Sequence, residues 1–202
     1  MMTEAATKGA PGALDLLLYS VAVAVGAVLW AVMRIAAVFD PAGVPFALPV
    51  TDTPVDVQLE GEASPASRVL TQAAVLVPDL DVTGRVFLVV SAVLTVIGTL
   101  VVVGALIRVA LAFRAGDFFA RRVTRGLTLI GATVFATALL VMLSDAMARR
   151  SAMETLGLVY EPLGMLDLVA FAPAWIAAIV FGVLAGAFAH GERLQRDVRG
   201  LV

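Results

Sequence analysis

The chain has 202 residues, of which 61% are hydrophobic and only 15% charged, with a net charge of −2 and no cysteine. A soluble domain carries roughly 45–50% apolar and about 25% charged residues, so an ordinary water-soluble globule is excluded. The lack of thiols excludes a disulfide framework, Cys-based metal sites and thiol catalysis.

The charges are clustered and leave four long uncharged runs. About 20 apolar helical residues cross a bilayer core of ~30 Å. The first run, LLLYSVAVAVGAVLWAVM (Leu16 to Met33), predicts a membrane helix over 14–36. It is long for the apolar region of a cleaved signal, and its flank carries Lys8 against Glu4 and Asp15, so it reads as a retained span.

The segment 39–85 follows and is long for a helix–helix connection. In PVDVQLE, Val55, Val57 and Leu59 alternate with Asp56, Gln58 and Glu60, the period of a half-buried strand. GEASPAS supplies turn residues Gly61 and Pro65. RVLTQAAVLVPDL then supplies a second strand closed by Pro78. The prediction is a β-hairpin over one mouth of the bundle. An isolated hairpin is marginal in water, so it is expected to pack on helix ends or on a partner.

VFLVVSAVLTVIGTLVVVGALI (Val86 to Ile107) predicts a second helix over 86–110, and GLTLIGATVFATALLVMLS (Gly126 to Ser144) a third over 124–146. LVAFAPAWIAAIVFGVLAGAFA (Leu168 to Ala189) predicts a fourth over 167–190, with a kink at Pro173. In lipid the backbone must satisfy its own hydrogen bonds, so each run is helical despite its β-branched residues. The fold class is therefore an all-α membrane protein, residues 1–202 in a single four-helix domain with a small extracytoplasmic hairpin.

Between helices two and three lie Arg108, Arg114, Arg121, Arg122 and Arg125 against Asp117. Arg and Lys mark cytoplasmic loops, so this loop and both termini are expected in the cytoplasm, and the acidic segments 39–85 and 145–167 outside. Arg34, Asp145 and Asp167 should then share one depth, where an unpaired charge is costly. Arg34 is expected to pair with one of the acids.

GDFFARRV (Gly116 to Val123) and GERLQRDV (Gly191 to Val198) share a pattern of Gly, acid, apolar residue, Arg and Val. In each, Gly ends a membrane helix, and Asp117 can cap a new short one. Phe118, Phe119 and Val123 are expected at the acyl boundary, with Arg121, Arg122 and Arg125 at headgroups. Leu194, Val198 and Leu201 fall on one helical face beside Arg196 and Arg199. The tail is expected to form a short helix packed against the Phe118–Arg125 segment, a composite surface for lipid or a protein partner.

GDFFARRVTRGLTLIG resembles the Gly-x-x-Phe…Arg-x-Leu…Ile-Gly element of the bacterial membrane family called domain of unknown function 2975, through Gly116, Phe119, Arg125, Leu127, Ile130 and Gly131. GERLQRDVRGLV is similar to that family's C-terminal signature through Gly191, Leu194, Asp197, Leu201 and Val202. The resemblance implies a small multi-pass protein of a bacterial inner membrane, of unassigned activity. It further implies a cytosolic regulatory partner of helix-turn-helix type, with no direct contact to nucleic acid. It supplies no catalytic residues.

Catalytic, cofactor and metal sites are not expected. His190 is the only histidine and reads as an interfacial residue at a helix C-terminus. Ser20, Ser91 and Ser144 lack a general base nearby in sequence. Thr95, Thr99, Thr128, Thr133 and Thr137 are expected to bond back to their own helices. Gly182 and Gly186 form a GxxxG pattern that serves packing within the monomer or a homo-oligomer. The expected role is regulatory or sensory; a small transporter and a structural subunit contacted through the hairpin are the alternatives, and an enzyme is not expected.

Overall fold

The computed structural model describes residues 13–56, 67–116, 120–158 and 165–199. The elements are α1 (Ala13–Val38), β1 (Val44–Asp56), β2 (Ser67–Val77), α2 (Val82–Arg114), α3 (Arg121–Thr155) and α4 (Met165–Arg199). All four helices are long and apolar enough to span a membrane. The two strands form one antiparallel sheet between α1 and α2.

The helix ends follow from local chemistry. Asp81 caps α2 by accepting a hydrogen bond from the Thr83 N–H at 3.2 Å. Gly116, at φ 78°, ends α2, and Gly157, at φ 68°, ends α3; both adopt the left-handed conformation that glycine reaches without steric cost. At the α3 end the Leu158 N–H reaches back to the Met153 carbonyl at 2.9 Å and Gly157 to Glu154 at 3.1 Å. This pair of bonds satisfies carbonyls that a helix terminus would leave open.

The helices pack in chain order, α1 on α2, α2 on α3 and α3 on α4. Among the described residues α1 and α4 share no such interface. The α2–α3 pair is the spine. Gly84, Ser91, Gly98, Ala105 and Ala112 recur every seventh residue along α2, and all five are buried. On α3 the same interval in reverse gives Ser151, Ser144, Thr137, Ile130 and Val123. A Cβ at Gly84 would lie 2.8 Å from Ser151 Oγ, and one at Gly98 would lie 2.7 Å from Thr137 Cγ2. These two pairs, equally spaced on both helices, set the register and bring the others face to face. Ile130 and Val123 are fully buried opposite the two alanines. A seven-residue period is that of a left-handed helix pair. Small residues suit it here because lipid offers no hydrophobic drive between helices, so close van der Waals contact must hold them.

The α3–α4 crossing sits at Gly131, where a Cβ would meet the Ala178 carbonyl oxygen at 3.2 Å and Phe181 Cβ at 3.3 Å. Gly182 and Gly186 of the GxxxG pattern have no atom within 4 Å of an added Cβ. The Gly182 backbone nitrogen nevertheless lies 3.5 Å from a Cβ built at Gly131, and both glycines line a groove between α3 and α4.

The hairpin is present but lies earlier than the alternation suggested. β1 begins at Val44 and passes through Pro45, Pro49 and Pro54, which a two-stranded ribbon tolerates because one edge of each strand needs no ladder partner. Residues 57–60 of the predicted strand lie outside the described set. Pairing runs from Val44↔Val77 to Asp56↔Ser67, with an irregularity between Pro49 and Thr53. The base packs on the helix ends, as expected: Val38, Val44, Phe46, Val77, Leu80 and Leu88 form one core cluster with Ala148, Ala152 and Met153.

That cluster explains a second difference. The predicted third helix stopped near residue 146, yet α3 runs to Thr155. Asp145, Arg149, Arg150 and Glu154 stay off the buried face while Ala148, Ala152 and Met153 bury against the hairpin base. Arg150 and Glu154 pair at 2.8 Å one turn apart. Helix α4 likewise passes the predicted end at 190, so Gly191 does not terminate it. The chain continues helically from Met165 through Pro173 to Arg199.

Candidate functional site

Three features could act: a charged pocket at the hairpin end, an apolar cavity between the helices, and an Arg-rich surface at the opposite end.

The pocket at the hairpin end has a volume of about 420 Å³. Its polar side chains are Arg34 of α1 and Asp145 and Arg149 of α3; Val44, Pro45 and Phe46 of β1 and Phe171 of α4 help to line it. Arg34 Nη2 stands 3.6 Å from Asp145 Oδ1, the ion pair expected from shared depth. The side chain of Asp167, the other acid considered, lies outside the described residues. The Arg34 guanidinium also lies 5.4 Å from the Trp30 ring centroid, within reach of a cation–π attraction. The pair is incomplete: Arg34 Nε and Asp145 Oδ1 are both buried without a hydrogen-bond partner. A buried donor or acceptor left unmade costs about 1–3 kcal/mol, so this site has unspent hydrogen-bonding capacity.

Below it lies a cavity of about 610 Å³ lined by all four helices. Tyr19 and Val23 of α1, Thr95, Thr99 and Leu106 of α2, and Val134, Thr137 and Val141 of α3 contribute to its wall. Phe171 lines both this cavity and the charged pocket. The threonines do not make it polar. Thr95 Oγ1 donates to the Ser91 carbonyl at 2.9 Å and Thr99 Oγ1 to the Thr95 carbonyl at 2.8 Å. Thr128 does the same to Thr124 at 2.9 Å, so these hydroxyls bond back to their own helices as expected.

At the other end, Val109, Ala112, Val123, Leu127 and Ala185 form a second core cluster. Phe113 and Phe188 stack beside it with ring centroids 5.9 Å apart. Val123 is therefore a core residue, not the acyl-boundary residue expected from sequence. It turns inward because α3 begins at Arg121, with Ala120 as its cap residue, and packs at once on α2 and α4. Arg121, Arg122 and Arg125 are exposed on the first turns of α3. Phe118, Phe119 and Asp117 lie outside the described residues. The tail is not a separate helix folded onto that segment. It is the end of α4, which continues for eleven residues past Phe188, about 16 Å of helix, and Leu194 is 56% exposed. Arg196 and Arg199 sit in its last turns, their side chains outside the described set; Leu201 and Val202 also lie outside. His190 is exposed and mid-helix, so it has no terminal dipole to answer.

Sequence reasoning placed the Arg34–Asp145 pair and the arginines of the far end. It missed the two cavities. The sequence signal for the central one was slight: Thr95 and Thr99, four apart in an aliphatic run, mark one face of α2. Among the described residues no group of His, Asp and Glu side chains could hold a metal ion. In comparisons with protein-family models, curated proteins and solved structures, the chain finds no match.

Proposed function

We propose that this multi-pass membrane protein is regulatory: it sits in a bacterial inner membrane with both termini in the cytoplasm and engages a cytosolic protein at its Arg-rich end. One observation carries the reading. The last turns of α4 continue past the Phe113–Phe188 stack with Arg193 and Leu194 exposed, at the end that also bears Arg114, Arg121, Arg122 and Arg125. A topology anchor needs the positive charge but not an apolar residue exposed beside it. The resemblance to the domain of unknown function 2975 supports the same reading and suggests a helix-turn-helix protein as the partner. The runs of uncharged residues through all four spans give little support to ion or proton transport, which uses mid-membrane acids or bases.

The test pairs Leu194→Asp with Leu201→Asp and compares them with Arg196→Gln plus Arg199→Gln. Membrane insertion and co-purification of a cytosolic DNA-binding protein are scored separately. The Leu pair is expected to abolish co-purification and leave insertion intact. If the Leu pair changes neither readout while the Arg pair disturbs insertion, the tail is an anchor and the docking role is wrong.

A further inference from the structure

We infer that the central cavity is an intramembrane site for a hydrocarbon chain of a bilayer lipid, which enters sideways between α1 and α4 and leaves its head outside the bundle. This goes beyond the regulatory reading and does not depend on any cytosolic partner.

A space of this size has to be filled. Its volume of about 610 Å³ is about twenty times the ~30 Å³ that one water takes in the liquid, and protein interiors keep few voids larger than a water. Water is a poor filler. Among the described residues no charged one lines the cavity, and its polar side chains are the hydroxyls of Tyr19, Ser20, Thr95, Thr99 and Thr137. Thr95 and Thr99 have already given their protons to carbonyls of their own helix. A buried water needs about two to four polar partners, so these side chains are too few to hold water in that number. An ionic group finds no counter-charge in the wall. The occupant is therefore uncharged and mostly hydrocarbon.

Depth and length select a lipid chain. On α2 the wall runs from Thr95 to Leu106, a rise of about 16 Å. A hydrocarbon core of ~30 Å is about 15 Å deep per leaflet, so the cavity has the length of one chain. A transmembrane helix from a second copy would need the full ~30 Å, but the space does not run that far. Its wall ends on α3 at Val141, a turn before Asp145, and on α2 at Leu106, a turn before the buried Val109. Tyr19 lies toward the Arg-rich end of the bundle and Phe171 toward the hairpin end, so the space crosses the middle of the bilayer, too deep for a polar head. The mouth opens to lipid. Helices α1 and α4 form no packed interface among the described residues, and a chain can slide between them without breaking one. In the wall, Tyr19 and Val23 of α1 are 71% and 52% exposed, whereas Ala138 of α3 is 6% exposed. The α2–α3 seam closes the cavity behind, and the side next to α1 stays open to acyl chains.

The experiment uses the full-length protein in phosphatidylcholine vesicles that carry a trace of phosphatidylcholine with a photoreactive diazirine on its acyl chain, and maps the adducts by mass spectrometry. Val102 and Val134, half-buried in the cavity wall, should be labelled. Val183 of α4, 67% exposed and outside the cavity wall, should be labelled too and serves as the reference. Val102→Phe fills the cavity and should abolish labelling of Val134 while leaving Val183 unchanged. Thermal unfolding checks that the variant is folded; Val141→Phe replaces it if it is not, and should give the same loss. Exchanging the probe for phosphatidylglycerol with the same chain should alter nothing, because the site holds the chain and not the head. An unlabelled Val134 in the wild type, labelling that both fillers leave intact, or a dependence on the head overturns the inference. Val134→Cys supplies two more outcomes, since the chain has no native thiol. Reaction with a water-soluble maleimide would make the cavity water-filled, and a disulfide between two copies would assign it to a second chain; either overturns the lipid site.

Discussion

Gly98→Ala adds a single methyl group at the middle of the α2–α3 seam, and the outcome can be worked from the contacts around it. The new Cβ would collide with Thr137 Oγ1 and lie 2.7 Å from Thr137 Cγ2 and 3.0 Å from Thr137 Cβ. Thr137 is β-branched and limited to two χ1 rotamers within a helix, so it has little room to swing clear, and the helices must part. Overpacking of this kind costs about 1–3 kcal/mol. The substitution also gains helix propensity, worth up to about 1 kcal/mol, which would blur the reading if Gly98→Ala were measured alone. Gly104→Ala supplies the reference: it lies on the same helix and an added Cβ there meets nothing within 4 Å. The difference between the two variants isolates the steric cost, and Gly98→Ala is expected to be the less stable by about 1–3 kcal/mol. Reversible unfolding in mixed micelles, titrated with a denaturing detergent, measures it. Thr137→Ala should return most of the loss in the double variant, because it removes Oγ1 and Cγ2 and leaves only the 3.0 Å contact; the coupling should lie within about 0.5–3 kcal/mol. Equal stability of Gly98→Ala and Gly104→Ala, or no coupling to Thr137, would refute the seam.

Three further outcomes are expected. Arg34 and Asp145 are 39% and 25% exposed at a separation of 3.6 Å, so a double-mutant cycle of Arg34→Gln and Asp145→Asn should give a coupling below about 1 kcal/mol; a larger value would mean the pair is better shielded than the geometry allows. Hydrogen bonds from Thr83 and Val82 at the start of α2 hold the Asp81 carboxyl below its ordinary value. Its stabilising contribution is therefore complete above the ordinary carboxylate range and disappears as the pH falls through the lowered folded value; Asp81→Asn should flatten that acid limb, and an unchanged limb would count against the cap. Because the chain has no native thiol, single Arg121→Cys and Glu154→Cys variants report topology directly: an impermeant maleimide applied to intact cells should label position 154 and spare 121, and the reverse pattern would invert the orientation.

What the sequence by itself determined is the set of places where this chain must avoid water. Runs such as Val86 to Ile107, free of charge, can lie only in lipid, and lipid permits only helices there, so four spans follow from composition and length. The Arg34–Asp145 pair was legible for the same reason: both charges flank spans, and the cost of burying charge puts them at one depth. The hairpin was legible from the alternation that starts at Val55, near the end of the first strand, but β1 starts at Val44, in a proline-rich stretch that carries no period-two signal. The ends of α3 and α4 were not legible, because a span was taken to end at its first charge. Past Asp145, Ala148 and Ala152 still bury against Val44 and Phe46, and that tertiary contact keeps α3 helical. Helix faces within the bilayer were hidden for a deeper reason. Lipid is as apolar as a protein core, so hydropathy does not separate the side of α2 that meets α3 from the side that meets acyl chains. Only the size of side chains does, through the seven-residue spacing from Gly84 to Ala112, and only the partner helix shows what that spacing is for. The space that remains when α1 and α4 stay apart, walled by Thr99, Val134 and Phe171, belongs to no single segment; it exists because four helices pack in a row, and the tertiary structure alone decided it.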